Sequence, residues 1–144
     1  MLVFLRHFGC TFCREAMSDI REQRREIEAS PANIALVHSA TEAEAGPYLE
    51  KFGLADLPRH ADPERRLYAA FGLQRGNLAQ LFGVKCIMRG FAAGVLEGHG
   101  VGPLTGDGFQ MPGVFVVRDG AIVREFRHRS AADRPDYAAI ARGA

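Results

Sequence analysis

The chain has 144 residues, of which 47% are hydrophobic and 24% are charged. This length and composition predict one globular domain, residues 1–144, with its own core. Eighteen basic and seventeen acidic residues leave a formal net charge of +1, which favours neither nucleic acid nor a membrane as a partner. No apolar run approaches the roughly 20 residues of a membrane span. The first residues are also too few for a secretion signal, so we expect a cytoplasmic protein.

The first half of the chain alternates strand and helix patterns. Residues 2–5 form a continuous apolar run, which predicts a strand buried on both faces. Residues 11–29 are strong helix formers with apolar side chains at helical spacing. A second strand is expected over residues 33–38, and a capping-box pattern at Thr41 starts a helix that runs to about residue 52. This order indicates a parallel sheet with right-handed crossovers.

The second half becomes regular only near its end. A short helix is expected from Asp62 to residue 71, and broken helix over residues 78–96 precedes glycine-rich loops. Those glycines match no phosphate-binding template, so no nucleotide cofactor is expected. Asp119 and Gly120 predict a type I′ turn between a buried strand, residues 113–117, and an edge strand, residues 121–126. A last helix is expected over residues 133–142.

The main chemical signal is a C-x-x-C pair, Cys10 and Cys13, between the first strand and the first helix. A dithiol at a strand-to-helix turn is typical of redox proteins, and the positive end of the helix dipole favours the thiolate. A zinc site would need a second Cys or His pair at similar spacing. Neither Cys86 nor the five scattered histidines supply one, so no metal is expected.

The two cysteines differ in their expected surroundings. Cys13 shares a helical face with Met17 and Ile20, so burial is expected to raise the pKa of its thiol. Cys10 precedes the helix and should lie at its mouth. We therefore expect Cys10 to attack a disulfide sulfur or a peroxide oxygen, and Cys13 to resolve the product. His7 and Arg14 are candidate positive charges beside Cys10, although a purely structural role for His7 is equally open.

Two longer segments point to a known family. Residues 3–15 hold the dithiol, and residues 111–120, Met-Pro-Gly-Val-Phe-Val-Val-Arg-Asp-Gly, are similar to the stretch where thioredoxins place a cis-proline. Residues 62–73 look like the corresponding peroxiredoxin segment. The chain thus resembles the peroxiredoxin-like branch of the AhpC/TSA family, which carries C-x-x-C in place of T-x-x-C. The resemblance implies an α/β, thioredoxin-like fold: a mixed sheet of four or five strands flanked by helices, with a helical insertion before the C-terminal hairpin.

The resemblance also implies roles for individual residues. Cys10 and Cys13 would be the redox pair, and Pro112 would pack beside them after a cis bond, with the backbone at Met111 offering hydrogen bonds to a substrate. Peroxiredoxins activate peroxide with a threonine three residues before the peroxidatic cysteine and with an arginine on a neighbouring strand. Here Cys10 and Pro112 stand at those positions. Thr11, Arg14 and Arg118 are the candidates to activate a peroxide in place of the family's threonine and arginine.

Three functions remain open at this point. The first is a thiol-disulfide oxidoreductase with an antioxidant role, which relies on Pro112 and an exposed Cys10. The second is a thiol-dependent hydroperoxide reductase with Cys13 as the peroxidatic cysteine, and the third is a non-catalytic redox sensor or interaction module. Either enzyme would take a disulfide or peroxide substrate and an external dithiol reductant of the thioredoxin or glutathione type. This chain opens directly in its first predicted strand, whereas relatives in the family carry residues before that strand. A sheet edge could therefore be left bare, or a second subunit could cover it in a homodimer.

Overall fold

A computed structural model describes residues 1–96, 98, 100, 102–103 and 105–143. The loops expected after residue 96 therefore lie partly outside the described residues. The strands are β1 Leu2–Phe4, β2 Ala35–His38, β3 Arg59–Ala61, β4 Gly113–Arg118 and β5 Ala121–Arg127. The helices are α1 Thr11–Glu28, α2 Glu42–Lys51, α3 Arg66–Ala70, α4 Leu78–Phe82, α5 Val84–Phe91 and α6 Tyr137–Arg142, with a π-helical turn at Ala92–Leu96 after α5.

All five strands join one mixed sheet in the order β3-β2-β1-β4-β5. The central strand β1 runs parallel to β2 and antiparallel to β4. The edge strands continue these directions, since β3 is parallel to β2 and β5 is antiparallel to β4. Helices flank the sheet, and a helical insertion, α4 to the π-helical turn, precedes the β4–β5 hairpin. The α/β, thioredoxin-like architecture expected from the sequence is confirmed.

The central strand is apolar because it packs against helices on both faces of the sheet. Side chains alternate between faces along a strand. Val3 and Leu5 belong to the cluster that includes buried residues of α1, α2 and α6. Phe4 faces the other way, with its ring centroid 5.1 Å from Tyr68 of α3 and 5.5 Å from Phe115 of β4. The strand that leads into the C-x-x-C turn is therefore held from both sides.

Two local predictions about turns and caps are confirmed. Asp119 and Gly120 have φ values of 50° and 79°, and a type I′ turn requires positive φ at both of its central residues. At the start of α2, the Thr41 side chain accepts a hydrogen bond from the Glu44 N–H, and the Glu44 carboxylate accepts one from the Thr41 N–H. Both motifs depend on near neighbours in the chain, which is why sequence sufficed for them.

The sequence did not predict β3, and it placed the start of two helices too early. Residues 59–61 are mostly exposed, so this edge strand lacks an apolar pattern and is held by backbone pairing with β2. The helix expected from Asp62 begins only at Arg66, because Arg65 adopts a left-handed φ of 58°. The last helix begins at Tyr137, where the Asp136 side chain caps it by accepting from the Ala139 N–H.

Asp62 acts as the acceptor for the first turn of α3. Its carboxylate accepts hydrogen bonds from the N–H groups of Arg66, Leu67 and Tyr68 at 3.0, 2.8 and 3.2 Å. We expect Asp62→Ala to lower the free energy of unfolding by about 2 kcal/mol, because these donors would lose a buried partner. Urea titration at equilibrium measures this change. As a control, Glu64→Ala removes an ion pair with Arg66 whose side chains are 67% and 83% exposed, and should cost less than about 0.5 kcal/mol. Equal losses would contradict the capping role.

The sequence analysis expected no apolar run that approaches the length of a membrane span, and this expectation is wrong. Judged by length and composition alone, one stretch is long and apolar enough to cross a membrane. The stretch Leu78–Val95 has 18 residues with a mean hydropathy of 1.3, and only 17% of it is buried. The backbone of Gly83 is extended, with ψ at 164°, so α4 and α5 are separate helices rather than one straight span. One stretch of this kind is weak evidence for a membrane span.

Candidate active site

The C-x-x-C pair lies where the loop after β1 enters α1. Cys10 is the residue before the helix, and its carbonyl accepts hydrogen bonds from the N–H groups of Cys13 and Arg14 at 3.0 and 3.1 Å. Both cysteines are free thiols, and their exposed fractions are 8% for Cys10 and 4% for Cys13. Cys10 is thus the more exposed of the two, as expected, but it is buried rather than surface-exposed.

Arg6 contacts both sulfur atoms, and the sequence analysis missed it. The side chain is buried, at 7% exposed. Its guanidinium donates from Nη1 to the Cys10 Sγ at 3.1 Å, while its backbone N–H donates to the Cys13 Sγ at 3.0 Å. The guanidinium also donates to the Gly108 carbonyl, from Nε at 3.0 Å and from Nη2. A fixed positive charge therefore lies in hydrogen-bond contact with the Cys10 sulfur atom.

The two thiols have different electrostatic surroundings. Burial and, next in size, negative charge on Cys10 together raise the pKa of the Cys13 thiol to about 12, while the Arg6 N–H and charge act in the opposite direction. The expected direction of this shift is confirmed. At neutral pH Cys13 is therefore a neutral thiol, and the side chain of Arg6 is directed at Cys10 instead.

Two cavities meet at Cys10. One is enclosed, has a volume of about 20 Å³ and is lined by both cysteines. It is large enough for about one water molecule. The other is an open cleft of about 380 Å³, whose lining includes Cys10 but not Cys13. The lining of the cleft also includes Arg6, His7, Thr11, Phe12, Leu81, Phe82 and Phe109. A molecule that enters from solvent through this cleft reaches Cys10 first.

Pro112 lies beside the dithiol, but the bond before it is not cis. Pro112 lines the enclosed cavity together with Cys10 and Cys13, which is the place that the resemblance implied. The described residues contain no cis peptide bond, so the cis prediction is wrong. Pro112 is instead a trans residue directly before β4, a position where its missing N–H costs no sheet hydrogen bond.

The backbone groups of Met111, to which the resemblance assigned hydrogen bonds with a substrate, are hydrogen-bonded within the fold. Its backbone N–H donates to the Gln74 carbonyl at 3.2 Å, and its carbonyl accepts from the Gln110 Nε2 at 3.1 Å. Its side chain is buried in a separate cluster with Leu81 and Cys86. The Met111 N–H would have to leave the Gln74 carbonyl before it could bind a substrate, so the substrate-binding role of Met111 stays a prediction that this geometry does not favour.

Thr11 and Arg14 stabilise the loops around the cleft. The Thr11 hydroxyl donates to the Gly100 carbonyl at 2.9 Å, and Thr11 lines the open cleft. Arg14 donates from Nε to the Phe8 carbonyl at 3.2 Å and lies 5.8 Å from the centre of the Tyr48 ring. The other candidate, Arg118, lies at the hairpin end of β4, at the opposite end of that strand from Pro112. The structure therefore does not bring Arg118 to the site.

His7 lines the cleft but carries no positive charge at neutral pH. Burial and, next in size, the positive charge of Arg6 together lower the pKa of its imidazole to about 4, although Asp107 acts in the opposite direction. The prediction that His7 supplies positive potential to the dithiol is therefore wrong. Arg6 provides that charge, and repulsion from Arg6 is part of the reason why His7 stays neutral.

His128 is a second residue that the sequence analysis did not connect with the dithiol. It lines the enclosed cavity with both cysteines, and burial lowers its pKa from the ordinary 6.5 to about 4. In the unfolded chain the His128 imidazole takes up a proton below pH 6.5, whereas in the folded chain it does so only near pH 4. The contribution of the neutral imidazole to folding stability is therefore complete above pH 6.5 and is lost as the pH falls towards 4.

We expect this histidine to contribute a loss of about 2–3 kcal/mol between pH 6.5 and pH 4. The measurement is the free energy of unfolding in urea at several pH values, for the wild type and for His128→Gln. The variant cannot gain the proton, so the difference between the two curves should shrink as the pH falls. Parallel curves would show that His128 has the same pKa in the folded and in the unfolded chain, and would contradict the prediction.

The fold and the site together define a class of protein. A central strand delivers two thiols to the start of the first long helix, and a proline at the head of the adjacent antiparallel strand packs beside them. This arrangement is that of a thioredoxin-like thiol protein. Residues 19–130 match the family model described as AhpC/TSA antioxidant enzyme. The chain belongs to this family, as the resemblance in its sequence indicated.

The family supports a thiol-dependent peroxidase or oxidoreductase in general terms. The matched residues begin after the C-x-x-C pair, so neither Cys10 nor Cys13 lies within them. No curated protein and no solved structure resembles the chain closely enough to count as a match. The roles of the two thiols therefore rest on the geometry described above.

Proposed function

We propose that the chain is a thiol-dependent peroxidase that reduces small hydroperoxides, with Cys10 as the attacking thiolate and Cys13 as the resolving thiol. The observation that carries this proposal is the hydrogen bond from the Arg6 guanidinium to the Cys10 Sγ at 3.1 Å, at the base of an open cleft. The Arg6 cation and the cleft that opens to solvent thus meet at the Cys10 sulfur atom, which is the proposed nucleophile.

In the first step, the Cys10 thiolate attacks the terminal oxygen of a hydroperoxide. A sulfur–oxygen bond forms, the O–O bond breaks, and the alkoxide that leaves takes a proton from solvent to become an alcohol. The sulfur is oxidised by two electrons to a sulfenic acid. Arg6 is buried and anchored on Gly108, so its charge is already in place to stabilise the negative charge that moves from sulfur to oxygen.

In the second step, Cys13 attacks the sulfenic sulfur of Cys10. A disulfide forms, and hydroxide leaves with the proton from Cys13 as water. Cys10 is uncharged as a sulfenic acid, so the negative charge that helps to raise the pKa of Cys13 is gone. The pKa of Cys13 therefore falls only after Cys10 has reacted. An external dithiol then reduces the disulfide by exchange and is itself oxidised.

Two observations favour a peroxide over a protein disulfide as the substrate. Cys10 is only 8% exposed, and a protein disulfide would need close approach to this sulfur. The Met111 backbone, which would bind an extended substrate chain, is engaged with Gln74 and Gln110. Cys13 is a poorer candidate for the peroxidatic role than Cys10, because it does not line the open cleft.

The test compares two reactions of the same preparation. We expect consumption of hydrogen peroxide or tert-butyl hydroperoxide with dithiothreitol as reductant, above the rate of dithiothreitol alone, and little acceleration of insulin reduction. Mass spectrometry after one equivalent of peroxide should find a disulfide between Cys10 and Cys13. Insulin reduction without peroxide consumption would show a disulfide oxidoreductase instead. Acceleration of neither reaction would contradict both enzyme functions and favour the third one, a non-catalytic redox sensor or interaction module.

A further inference from the structure

His128 is brought to the dithiol by the pairing of β4 with β5. The register pairs Arg127 with the first residue of β4, so His128 and Pro112 come next across the two strands, and both line the enclosed cavity. Arg127 faces the other side of the sheet, where its guanidinium lies 4.8 Å from the centre of the Phe115 ring. Phe126 packs against the core cluster that contains both cysteines. The His128 ring lies edge-on to Phe126, with the ring centroids 5.2 Å apart, and therefore shares the face of the dithiol.

Among the described residues that line the enclosed cavity, only His128 can accept a proton at neutral pH once Cys10 is oxidised. The lining side chains with nitrogen, oxygen or sulfur atoms are Arg6, Cys10, Cys13, His128 and Tyr137. The Arg6 guanidinium keeps its protons in proteins, and burial raises the pKa of the Tyr137 phenol, which stays neutral. A sulfenic acid on Cys10 no longer carries the charge of a thiolate. The imidazole of His128 is neutral at this pH and has one nitrogen with a free lone pair.

The His128 ring also has hydrogen-bonding capacity that the fold does not use. Its Nδ1 atom is buried and makes no hydrogen bond of ordinary geometry to the described residues. Buried polar atoms without a partner are rare, and a role in catalysis or a bridging water is a usual reason for one. The enclosed cavity of about 20 Å³ has room for one water molecule, which can bridge the imidazole and a thiol.

The charged groups around His128 leave its imidazole neutral. Burial and, to a smaller extent, the charge of Lys85 lower the pKa of the imidazole to about 4, although Asp133 and the backbone of Ser130 act in the opposite direction. The other charged side chains that line a smaller cavity beside His128 are Glu15, Asp19 and Arg134. Each of the three carboxylates is in an ion pair with a lysine or an arginine, so little net negative charge faces the imidazole.

We propose that the His128 imidazole is the general base that takes the proton from Cys13 when Cys13 attacks the oxidised Cys10. This role belongs to the second step of the proposed function and rests on that function. A base is needed in this step because Cys13 is a neutral thiol, whereas the thiolate is the form that attacks. A positioned base commonly accelerates such a step by about 100-fold to 10,000-fold.

The atoms and electrons of this step balance without a further reactant. The S–H bond of Cys13 breaks, its proton passes across the cavity to the imidazole, and the Cys13 sulfur bonds to the Cys10 sulfur. The S–O bond of the sulfenic acid breaks, and the leaving hydroxide takes the proton from the imidazolium and becomes water. The sulfenic sulfur is reduced while the Cys13 sulfur is oxidised. His128 ends the step as a neutral imidazole, ready for the next turnover.

A single turnover of His128→Gln with one equivalent of peroxide tests the role. Rapid acid quench followed by mass spectrometry of the intact protein separates the sulfenic acid from the disulfide. We expect sulfenic acid to form within about two-fold of the wild-type rate, because Arg6 and the open cleft are unchanged. Disulfide formation should slow by about 100-fold. His60→Gln is the matched control, because His60 is exposed on β3, and it should keep both rates. Circular dichroism melting checks that both variants fold.

The pH dependence of disulfide formation separates a base from a structural residue. In the wild type the rate constant should be level between about pH 6 and pH 8 and should fall as His128 takes up a proton near pH 4. In His128→Gln it should rise about ten-fold per pH unit over the same range, because only the ionised fraction of Cys13 reacts and the pKa of this thiol lies well above that range. Parallel profiles, or a variant that forms the disulfide at the wild-type rate, would overturn the proposal.

A mixed disulfide tests the role of His128 without peroxide. Dithiobis(nitrobenzoate) should react with Cys10 and release one coloured aryl thiolate, and Cys13 should then displace a second one from Cys10. Only the second release should slow in His128→Gln. If peroxide produces no sulfenic acid while this release slows, the proposed function fails and the role of His128 stands. If sulfenic acid forms but neither resolution nor the second release slows, the role of His128 alone fails. A wild type that resolves neither adduct would overturn both.

Discussion

Replacing Cys10 with serine is expected to lower kcat/KM for hydroperoxide by at least about 1,000-fold. The serine hydroxyl is not ionised at neutral pH, so no strong nucleophile would remain in the open cleft. Cys13 cannot take over at a similar rate, because it does not line the cleft and its pKa is raised to about 12. Peroxide consumption in the presence of dithiothreitol measures the effect.

The companion variant Cys13→Ser should separate attack from resolution. Cys10 should still react once with peroxide, so dimedone should trap one equivalent of sulfenic acid on Cys10 and no internal disulfide should form. Cys86→Ser is the control, because this buried thiol donates to the Gln80 carbonyl at 3.1 Å and lies in a separate cluster. It should retain wild-type turnover. A Cys10→Ser protein that forms sulfenic acid on Cys13 and keeps turning over would assign the peroxidatic role to Cys13.

Replacing Arg6 with methionine is expected to lower kcat/KM for hydroperoxide by about 100-fold, the usual cost of one preorganised donor at a reacting centre. The methionine side chain fills similar space but cannot stabilise the thiolate or the leaving oxygen. Arg6→Lys keeps the charge but cannot donate to Cys10 and to Gly108 with the same geometry. Its kcat/KM should therefore lie between that of the wild type and that of Arg6→Met. Stopped-flow rates with peroxide, together with rates of Cys10 alkylation by iodoacetamide, measure these effects.

Two controls make the Arg6 result specific. Arg118→Met removes an arginine at the hairpin end of β4, far along the strand from Pro112, and should leave both rates within about two-fold of wild type. Thermal melting of Arg6→Met shows how much of any loss is due to the missing hydrogen bonds to Gly108. A folded Arg6→Met protein with unchanged alkylation and peroxide rates would show that Arg6 does not activate Cys10.

Sequence reasoning succeeded where a structure depends on near neighbours in the chain. The burial of β1, the start of α2 at Thr41 and the turn at Asp119 follow from local apolar patterns, capping and backbone preferences. The same is true of the C-x-x-C pair, which lies on one turn at the start of α1. The raised pKa of Cys13 was also predictable, because helical spacing places this thiol on the apolar face.

The sequence by itself therefore determined the fold class, the family and the position of the dithiol. Only the tertiary structure decided which groups act on it. Arg6 is fixed by a carbonyl 102 residues away, and the Met111 N–H is engaged by a carbonyl of Gln74. The neutral state of His7 depends on burial and on the orientation of the Arg6 charge. Such contacts join distant parts of the chain, and local patterns carry no information about distances that only folding establishes.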